Sequence, residues 1–195
     1  MSSVPSSRSF APPKAAPASP SPPATETTVG SATAGASGAS VVACREAVGA
    51  EELEEYFAVR RRVFCDEQRV FDRDDRDERD GAPGTLHVVA LLDGRVEGAV
   101  RLYPLDELGV WKGDRLAVLP ERRVHRVGAM LVSFAVRTAG ELGGRRMIAQ
   151  IQLANVRFFE LLGWRREGEP APYHGLPHQR MTIVLAAVSR SRQAR

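Results

Sequence analysis

Three arginines lie just before a predicted helix, in a pattern typical of a phosphate-binding loop. Residues 113–132, GDRLAVLPERRVHRVGAMLV, are typical of a strand, a loop and a helix, and the loop carries Arg122, Arg123 and Arg126. The first backbone N–H groups of a helix have no partner within it and lie at the positive end of its dipole. Phosphate oxygens bind well there, and Gly128 leaves the backbone open to a ligand. The pattern therefore predicts an anion site with guanidinium groups around it.

Two other groups of residues resemble metal ligands by type but not by spacing. Between positions 72 and 80, acidic residues alternate with arginines and do not follow the spacing of an EF-hand calcium loop. His174 and His178 have no third Cys or His close in sequence, which favours a structural role for both. We therefore predict no metal site, and we expect the acidic segment to be a solvated loop whose charges pair with one another.

Composition is typical of one folded domain of ordinary size. The chain has 195 residues, of which 43% are hydrophobic, and a net charge of +3 without any block of five basic residues, so nucleic-acid binding is not expected. Cys44 and Cys65, in the absence of a secretory signal, indicate reduced thiols. No stretch approaches the roughly 18 apolar residues of a membrane span, so no membrane partner is expected. The expected location is cytoplasmic, with an organelle transit peptide as the alternative.

The chain divides into three regions by composition. Residues 1–40 are mainly Ser, Ala, Pro, Thr and Gly, and they cannot bury enough apolar surface to offset the entropy of ordering, so we predict a disordered tail. Residues 41–188 carry the periodic patterns of a folded domain. Residues 189–195 are basic and are expected to form a solvated C-terminal tail.

The apolar periodicity of the folded region predicts the element order βαβββαβαββ. Period-two alternation on both sides of Asp93-Gly94 predicts a hairpin, and spacings of three and four residues predict the helices. The predicted strands cover residues 41–47, 85–92, 95–103, 110–119, 147–152, 163–169 and 178–188. The predicted helices cover residues 51–64, 127–142 and 155–162.

In this order of elements and in four motifs, the folded region resembles the GNAT superfamily of acyl-CoA-dependent N-acetyltransferases. The segment Arg123-Val-His-Arg126-Val-Gly128 is similar to the superfamily's signature at the head of the central helix, and residues 155–164, NVRFFELLGW, are similar to its second signature. More narrowly, residues 62–68, RVFCDEQ, and 173–178, YHGLPH, resemble the ElaA-like branch and relatives labelled as nitrogen-starvation acetyltransferases.

The resemblance implies a fold and a co-substrate. The fold is an α/β (α+β) GNAT fold, with a mixed, mostly antiparallel central sheet that is splayed after the fourth strand and helices on both faces. The co-substrate is acetyl-CoA, whose pyrophosphate would bind the backbone N–H groups of residues 123–129. Its pantetheine arm would pair with a bulged strand and contact the helix after the next strand. The implied cofactor-binding residues are Leu116, Ala117, Val118, Arg123, Val124, Arg126, Val127, Gly128, Ala129, Asn155 and Phe158.

The sequence departs from the superfamily's pattern at two positions. Arg126 stands where the loop usually has its first Gly, so either the backbone there avoids positive φ or the loop is reshaped. Phe159 stands where a Tyr often protonates the departing thiolate, and Phe has no proton to donate. The acid is then absent, unneeded or supplied by another residue such as Tyr173. For the base that deprotonates an amine, the candidates are Asp114 and Glu67.

The resemblance implies an acyl-CoA-dependent N-acyltransferase. It would transfer acetyl from acetyl-CoA to a primary amine of a small molecule by direct attack in a ternary complex, with a homodimer as a possible assembly. Two alternatives stay open. One is a non-catalytic acyl-CoA-binding regulatory module, which the missing Tyr at position 159 favours. The other is an enzyme like an acyl-homoserine-lactone synthase, which the stretch Arg62-Val-Phe64 suggests.

Overall fold

The hairpin predicted at Asp93-Gly94 lies near one edge of the central sheet. The computed structural model describes residues 41–186, and both turn residues have positive φ, 52° and 81°, as a type I′ turn requires. The turn joins strand β2 (Leu86–Leu92) to strand β3 (Arg95–Pro104), which is buried over nearly its whole length. A buried strand of ten residues provides a fixed support for its neighbours.

The remaining elements follow the predicted order with small changes in their limits. Before the hairpin come strand β1 (Val42–Glu46), helix α1 (Gly49–Arg61), a π-helical turn (Arg62–Glu67) and a 3-10 turn (Glu78–Gly81). After it come strand β4 (Val110–Val118), a 3-10 turn (Pro120–His125), helix α2 (Val127–Glu141) and strand β5 (Arg146–Gln152). A 3-10 turn (Leu153–Asn155), helix α3 (Val156–Leu161) and strands β6 (Arg165–Arg166), β7 (Ala171–Tyr173) and β8 (Leu176–Val184) complete the described part.

These strands form one mixed, mostly antiparallel sheet, as expected. The order is β1-β2-β3-β4-β5-β8-β6, with β7 paired to β8, and the single parallel pair is β4 with β5. Helix α2 packs on one face of the sheet, where Leu131 and Ala135 belong to the same apolar core as Val88 and Val100. Helix α1 packs on the other face against β2, β3 and β4. We call these the α2 face and the α1 face.

Two of the predicted strands begin or end at other residues than expected. The last strand begins at Leu176 rather than at position 178 and ends at Val184, because a short hairpin precedes it. His174 and Gly175, both with positive φ, form the turn of this hairpin, and β7 is its unpredicted first strand. The strand expected over 163–169 is reduced to Arg165–Arg166. The predictions for residues 1–40, for the strand end at 188 and for the tail at 189–195 lie outside the described residues.

The expectation that the acidic segment is a solvated loop is wrong for its central residues. The Asp75 side chain is completely buried and accepts a hydrogen bond of 2.8 Å from Arg60 Nε. Arg60 is itself completely buried and also donates to Asp80 at 2.6 Å. The segment thus folds onto the α1 face, and its carboxylates pair with arginines of the sheet and of helix α1. Asp75 Oδ1 has no partner among residues 41–186, and burial raises the pKa of Asp75 more than the charge of Arg60 lowers it.

No helix within residues 41–186 has the length and apolar character needed to cross a membrane.

Arg60→Ala should lower the free energy of unfolding by about 3–5 kcal/mol, because removing one partner of a buried ion pair leaves the other charge buried and uncompensated. Urea denaturation followed by circular dichroism measures this loss. Arg137→Ala, at an exposed ion pair with Glu141, is the matched control and should change stability by less than about 1 kcal/mol. If the two variants were equally stable, the ion pairs of Arg60 with Asp75 and Asp80 would not be what holds the acidic segment on the α1 face.

Candidate functional site

The site forms where strands β4 and β5 separate. Their parallel pairing covers only Val110–Lys112 with Arg146–Ile148, and beyond these residues the two strands are not paired. Strand β4 also contains a bulge, because Ala99 is opposite Ala117 while Arg101 is opposite Asp114. Arg115, within the bulge, has φ of 52°. The sheet is therefore splayed after the fourth strand, as the resemblance implies.

A cleft with about 930 Å³ of empty space, part of it open to solvent, lies between the separated strands. Its walls come from β3, β4, β5, α2, α3, the segment after α1, and the β7–β8 hairpin. The lining residues are Phe64, Gln68, Val70, Phe71, Val100, Gly113, Asp114, Arg115, Leu116, Val132, Ala135, Met147, Ala149, Gln150, Ile151, Gln152, Asn155, Phe159, Trp164, Tyr173, His174 and His178.

The cleft opens on both faces of the sheet, and the two faces differ in chemistry. Met147, Ala149 and Ile151 of β5 belong to the apolar core under helix α2. Because side chains alternate along a strand, Gln150 and Gln152 point to the opposite face. Gln152 Nε2 donates to Gln68 Oε1 at 3.1 Å, and Gln68 directly follows the π-helical turn after α1. The α2 face of the cleft is thus apolar, whereas its α1 face is polar and aromatic.

Asp114, one of the two predicted bases, lies in the wall of the cleft and is held by Arg101. Its Oδ1 accepts from Arg101 Nε at 2.8 Å, and its Oδ2 accepts from Arg101 Nη2 at 3.0 Å and from the Tyr103 hydroxyl at 3.2 Å. Arg101 is almost completely buried and also donates to Asp77 at 2.6 Å. The carboxylate of Asp114 is therefore tightly oriented and already neutralised by a guanidinium group.

The acidic segment is connected to the cleft through its ion pair with Arg115. Arg115 lines the cleft and donates from Nη2 to Asp77 Oδ2 at 3.0 Å and from Nε to the backbone carbonyl of Asp75 at 3.2 Å. Burial raises the pKa of Asp77, but the hydrogen bond and the charge of Arg101 outweigh it and lower the pKa to about 2. The Asp77 carboxylate is thus ionised and compensated by arginines rather than free to attract a cationic ligand.

The predicted anion loop ends in a backbone conformation that usually belongs to glycine. Residues Pro120–His125 form a 3-10 turn, and Arg126 then adopts φ of 60° and ψ of 11° at the start of α2. Of the two alternatives expected for Arg126, the first, a backbone that avoids positive φ, is therefore wrong. For a residue with a side chain this conformation costs about 1–2 kcal/mol. The chain thus keeps the glycine-like path of the loop while placing an arginine in it.

Arg123 is bound by the second predicted base. Its Nη1 and Nη2 donate to the two oxygens of Glu67 at 2.7 and 2.6 Å, and its Nε donates to the Val118 carbonyl at 3.2 Å. Arg122 forms a salt bridge with Glu97, with 3.1 Å between Nη2 and Oε1. Two of the three loop arginines thus hold carboxylates of the chain itself, and Glu67 lies outside the cleft lining.

The predicted cofactor-binding residues lie together along β4, the loop and the two helices that follow. Leu116 and Asn155 line the cleft. Gly128 lies between Val118 and Phe158, since a Cβ added to it would be 3.7 Å and 3.6 Å from their side chains. Among the others, Ala117, Val118 and Val127 are buried, Ala129 is half-buried, and Arg123, Val124 and Arg126 are exposed.

The position that the superfamily's Tyr usually occupies contributes no hydroxyl group here. Phe159 lines the cleft, and its ring packs edge-to-face on Phe158 and Trp164. Tyr173, predicted as a substitute acid, does line the cleft from the other side. Its hydroxyl lies 3.4 Å from Lys112 Nζ, and its ring contacts His174 and His178.

Sequence reasoning gave no functional role to six polar residues of the cleft: Gln68, Arg115, Gln150, Gln152, His174 and His178. A signal for two of them exists, because in the stretch MIAQIQ the glutamines alternate with apolar residues and so had to face away from the core. His178 gave no such signal, since its position depends on the unpredicted β7–β8 hairpin. Within residues 41–186, no group of three His, Cys, Asp or Glu side chains is arranged to hold a metal ion.

Comparison with known proteins places these features in one family. The model of the acetyltransferase (GNAT) family matches residues 49–164. The uncharacterized N-acetyltransferase YjcF of Bacillus subtilis is 30% identical over 132 residues, which cover 67% of this chain and 91% of YjcF.

Two solved structures show the same fold. The crystal structure of Escherichia coli ElaA is similar with a TM-score of 0.64 at 20% identity, covering 73% of this chain and 98% of ElaA. The CoA-dependent acyl-homoserine lactone synthase BjaI, solved with SAM and isopentyl-CoA, is similar with a TM-score of 0.62 at 21% identity. That match covers 75% of this chain and 84% of BjaI.

Glu67→Gln should raise the affinity of the loop for inorganic pyrophosphate by up to about fivefold, because it removes the carboxylate that occupies Arg123 and an exposed ion pair is worth up to about 1 kcal/mol. Isothermal titration calorimetry measures the change. Glu141→Gln, at the far end of α2, is the matched control and should leave the affinity unaltered. An affinity that is unchanged or lower in Glu67→Gln would mean that the ion pair of Glu67 with Arg123 stabilises the loop instead of competing with pyrophosphate for Arg123.

Proposed function

Because the chain belongs to the acetyltransferase (GNAT) family, we propose that it transfers an acyl group, most simply acetyl, from acyl-CoA to a primary amine of a small molecule. The observation that carries the proposal is the cleft between β4 and β5, which connects an apolar face under α2 with a polar, aromatic face under α1. An acyl thioester suits the apolar face, and an amine suits the polar face. Direct transfer requires the two substrates to meet, and the cleft joins the two faces.

The donor would lie on the α2 face. Its pyrophosphate would bind the free N–H groups at the start of α2 together with Arg123 and Arg126, because the helix dipole and the guanidinium groups attract the same charge. The pantetheine arm would run from the loop along the backbone of Leu116–Val118, whose β5-facing side is unpaired. Asn155, in the cleft wall at the start of α3, would donate to this arm.

The reaction would take place where β4 and β5 diverge. The amine, once neutral, attacks the thioester carbonyl carbon, and a backbone N–H group of the bulged part of β4 stabilises the oxyanion that forms. Collapse of this intermediate breaks the C–S bond and releases CoA as a thiolate. Tyr173 is the proposed proton donor to this thiolate, because its hydroxyl lies in the cleft beside the Lys112 ammonium group.

The proposal predicts that coenzyme A and acyl-CoA raise the melting temperature of the protein, and that the protein releases CoA thiol from acetyl-CoA in the presence of suitable primary amines. A ligand that binds only the folded state at 100 times its Kd adds about 2.7 kcal/mol to stability, which a thermal-shift assay detects readily. A thiol-reactive dye then measures turnover over a panel of amines.

The outcomes of this screen separate the candidate functions. A thermal shift without thiol release for any amine would favour a non-catalytic acyl-CoA-binding module. Turnover with S-adenosylmethionine as the acceptor would favour an enzyme like an acyl-homoserine lactone synthase. If no CoA species shifts the melting temperature, the proposed donor is wrong.

Arg123→Glu should abolish the thermal shift by CoA, because it places a carboxylate where the pyrophosphate is expected and next to Glu67. The same assay on Arg137→Glu provides the control, since Arg137 is an exposed residue of helix α2, which follows the loop, and this substitution makes the same change of charge. A shift that persists in Arg123→Glu would exclude this arginine from the phosphate site.

A further inference from the structure

The proposed reaction needs a base, and the two carboxylates predicted for this role are both engaged. An amine is protonated at neutral pH and attacks only after losing a proton. Both oxygens of Asp114 accept hydrogen bonds from Arg101. Both oxygens of Glu67 accept hydrogen bonds from Arg123, and Glu67 is not part of the cleft lining. Either carboxylate would have to give up its charge-assisted pair with a guanidinium group before it could contact an amine.

His178 differs from these carboxylates because one of its ring nitrogens has no hydrogen-bond partner in the described part of the chain. It lies near the start of β8, opposite Gln152, and lines the cleft. Its Nδ1 is 2.8 Å from the Leu176 carbonyl oxygen. A carbonyl oxygen can only accept a hydrogen bond, so Nδ1 carries the proton, and in the neutral ring Nε2 then has an unshared electron pair.

The free nitrogen is accessible from the cleft. Within residues 41–186 no group is hydrogen-bonded to His178 Nε2, and this atom is not among the buried side-chain atoms that lack a partner. The residue as a whole is only 7% exposed. Since His178 is otherwise enclosed and is part of the cleft wall, its accessible surface faces the cleft.

Charged and polar side chains face the ring from several elements. The titratable groups on the same face of the cleft are Tyr173, His174, Lys112, Arg115 and Asp114. Asp114 is paired with Arg101, and Arg115 is paired with Asp77. Within the described residues neither of these paired groups is hydrogen-bonded to the His178 ring, so its Nε2 stays available to an ammonium group that enters the cleft.

We propose that His178 is the general base that deprotonates the acceptor amine; this inference rests on the proposed N-acyltransferase function. Nε2 takes one proton from the ammonium group, giving an imidazolium ion and a neutral amine. The amine nitrogen then forms a bond to the acyl carbon, and the C–S bond breaks. The thiolate takes a proton from Tyr173, and the second amine proton restores the tyrosine. The imidazolium ion returns its proton to solvent, so the products are an amide, CoA thiol and one proton.

The test compares the pH dependence of kcat/KM for the amine in the full-length wild type and in His178→Asn. The amide of Asn can still donate to the Leu176 carbonyl, but it cannot accept a proton. The wild type should lose activity at acidic pH with the slope of one proton. His178→Asn should lose this acidic limb, fall in kcat by about 10²–10⁴-fold and regain activity with added imidazole, while its thermal shift by CoA is retained.

His174→Asn is the matched comparison, because it removes the neighbouring imidazole, and it should retain the acidic limb whatever its rate. If His178→Asn does not fold, His178→Gln is measured in the same way. A variant at position 178 that folds and keeps the acidic limb, or that is not rescued by imidazole, would overturn the role of His178 as base. Absence of thiol release by the wild type with every amine would instead refute the proposed function, and the base with it.

Discussion

The early end of pairing between β4 and β5 is the constraint on which the rest of this structure depends. Only three residue pairs join the two strands, Val110–Lys112 with Arg146–Ile148, although β4 has nine residues and β5 has seven. Beyond them, backbone donors and acceptors inside the sheet face a cleft instead of a neighbouring strand. Unpaired backbone groups in a buried place are costly, so the separation is stable only because each strand is firmly held on its other edge.

At its bulge, β4 is held to β3 by charges. The bulge at Arg115 would interrupt the pairing of β4 with β3, but Arg101 of β3 bridges it through both oxygens of Asp114. Arg115 in turn binds the acidic segment through Asp77. Buried charges of this kind stabilise little compared with apolar residues of the same volume, yet removing one partner is costly. They specify one geometry for the bulge, and so they fix where the cleft lies and which groups face it.

The parts of the fold that could be predicted are those that depend on local sequence. The turn at Asp93-Gly94, the periodicity of α2 and the strand, loop and helix of residues 113–132 each carry their signal within a few neighbours. The resemblance to the GNAT superfamily then supplied the splayed sheet and placed the cleft-lining Leu116 and Asn155.

The features that were missed depend on partners far away in the chain. Asp75 is buried because Arg60 and Arg115 meet it from α1 and β4, and no local pattern of charges indicates that encounter. The same holds for the pair of Glu67 with Arg123, residues that are 56 positions apart. His178 faces the cleft because of a hairpin whose turn contains a non-glycine residue with positive φ, His174. A pattern of residue types alone cannot reveal such an arrangement.

The two departures from the superfamily's motifs have different consequences. Arg126 keeps the backbone conformation that glycine would have, so the path of the loop is preserved and a positive charge is added at its exposed side. Phe159 removes a hydroxyl group from the α2 face, and its ring packs between those of Phe158 and Trp164. In the proposed reaction, both proton transfers then take place on the α1 face, at Tyr173 and His178. These residues belong to one short hairpin and their rings are in contact. The amine would therefore lose its proton, and the thiolate would gain one, on the acceptor's side of the cleft. The α2 face would then serve to bind the donor.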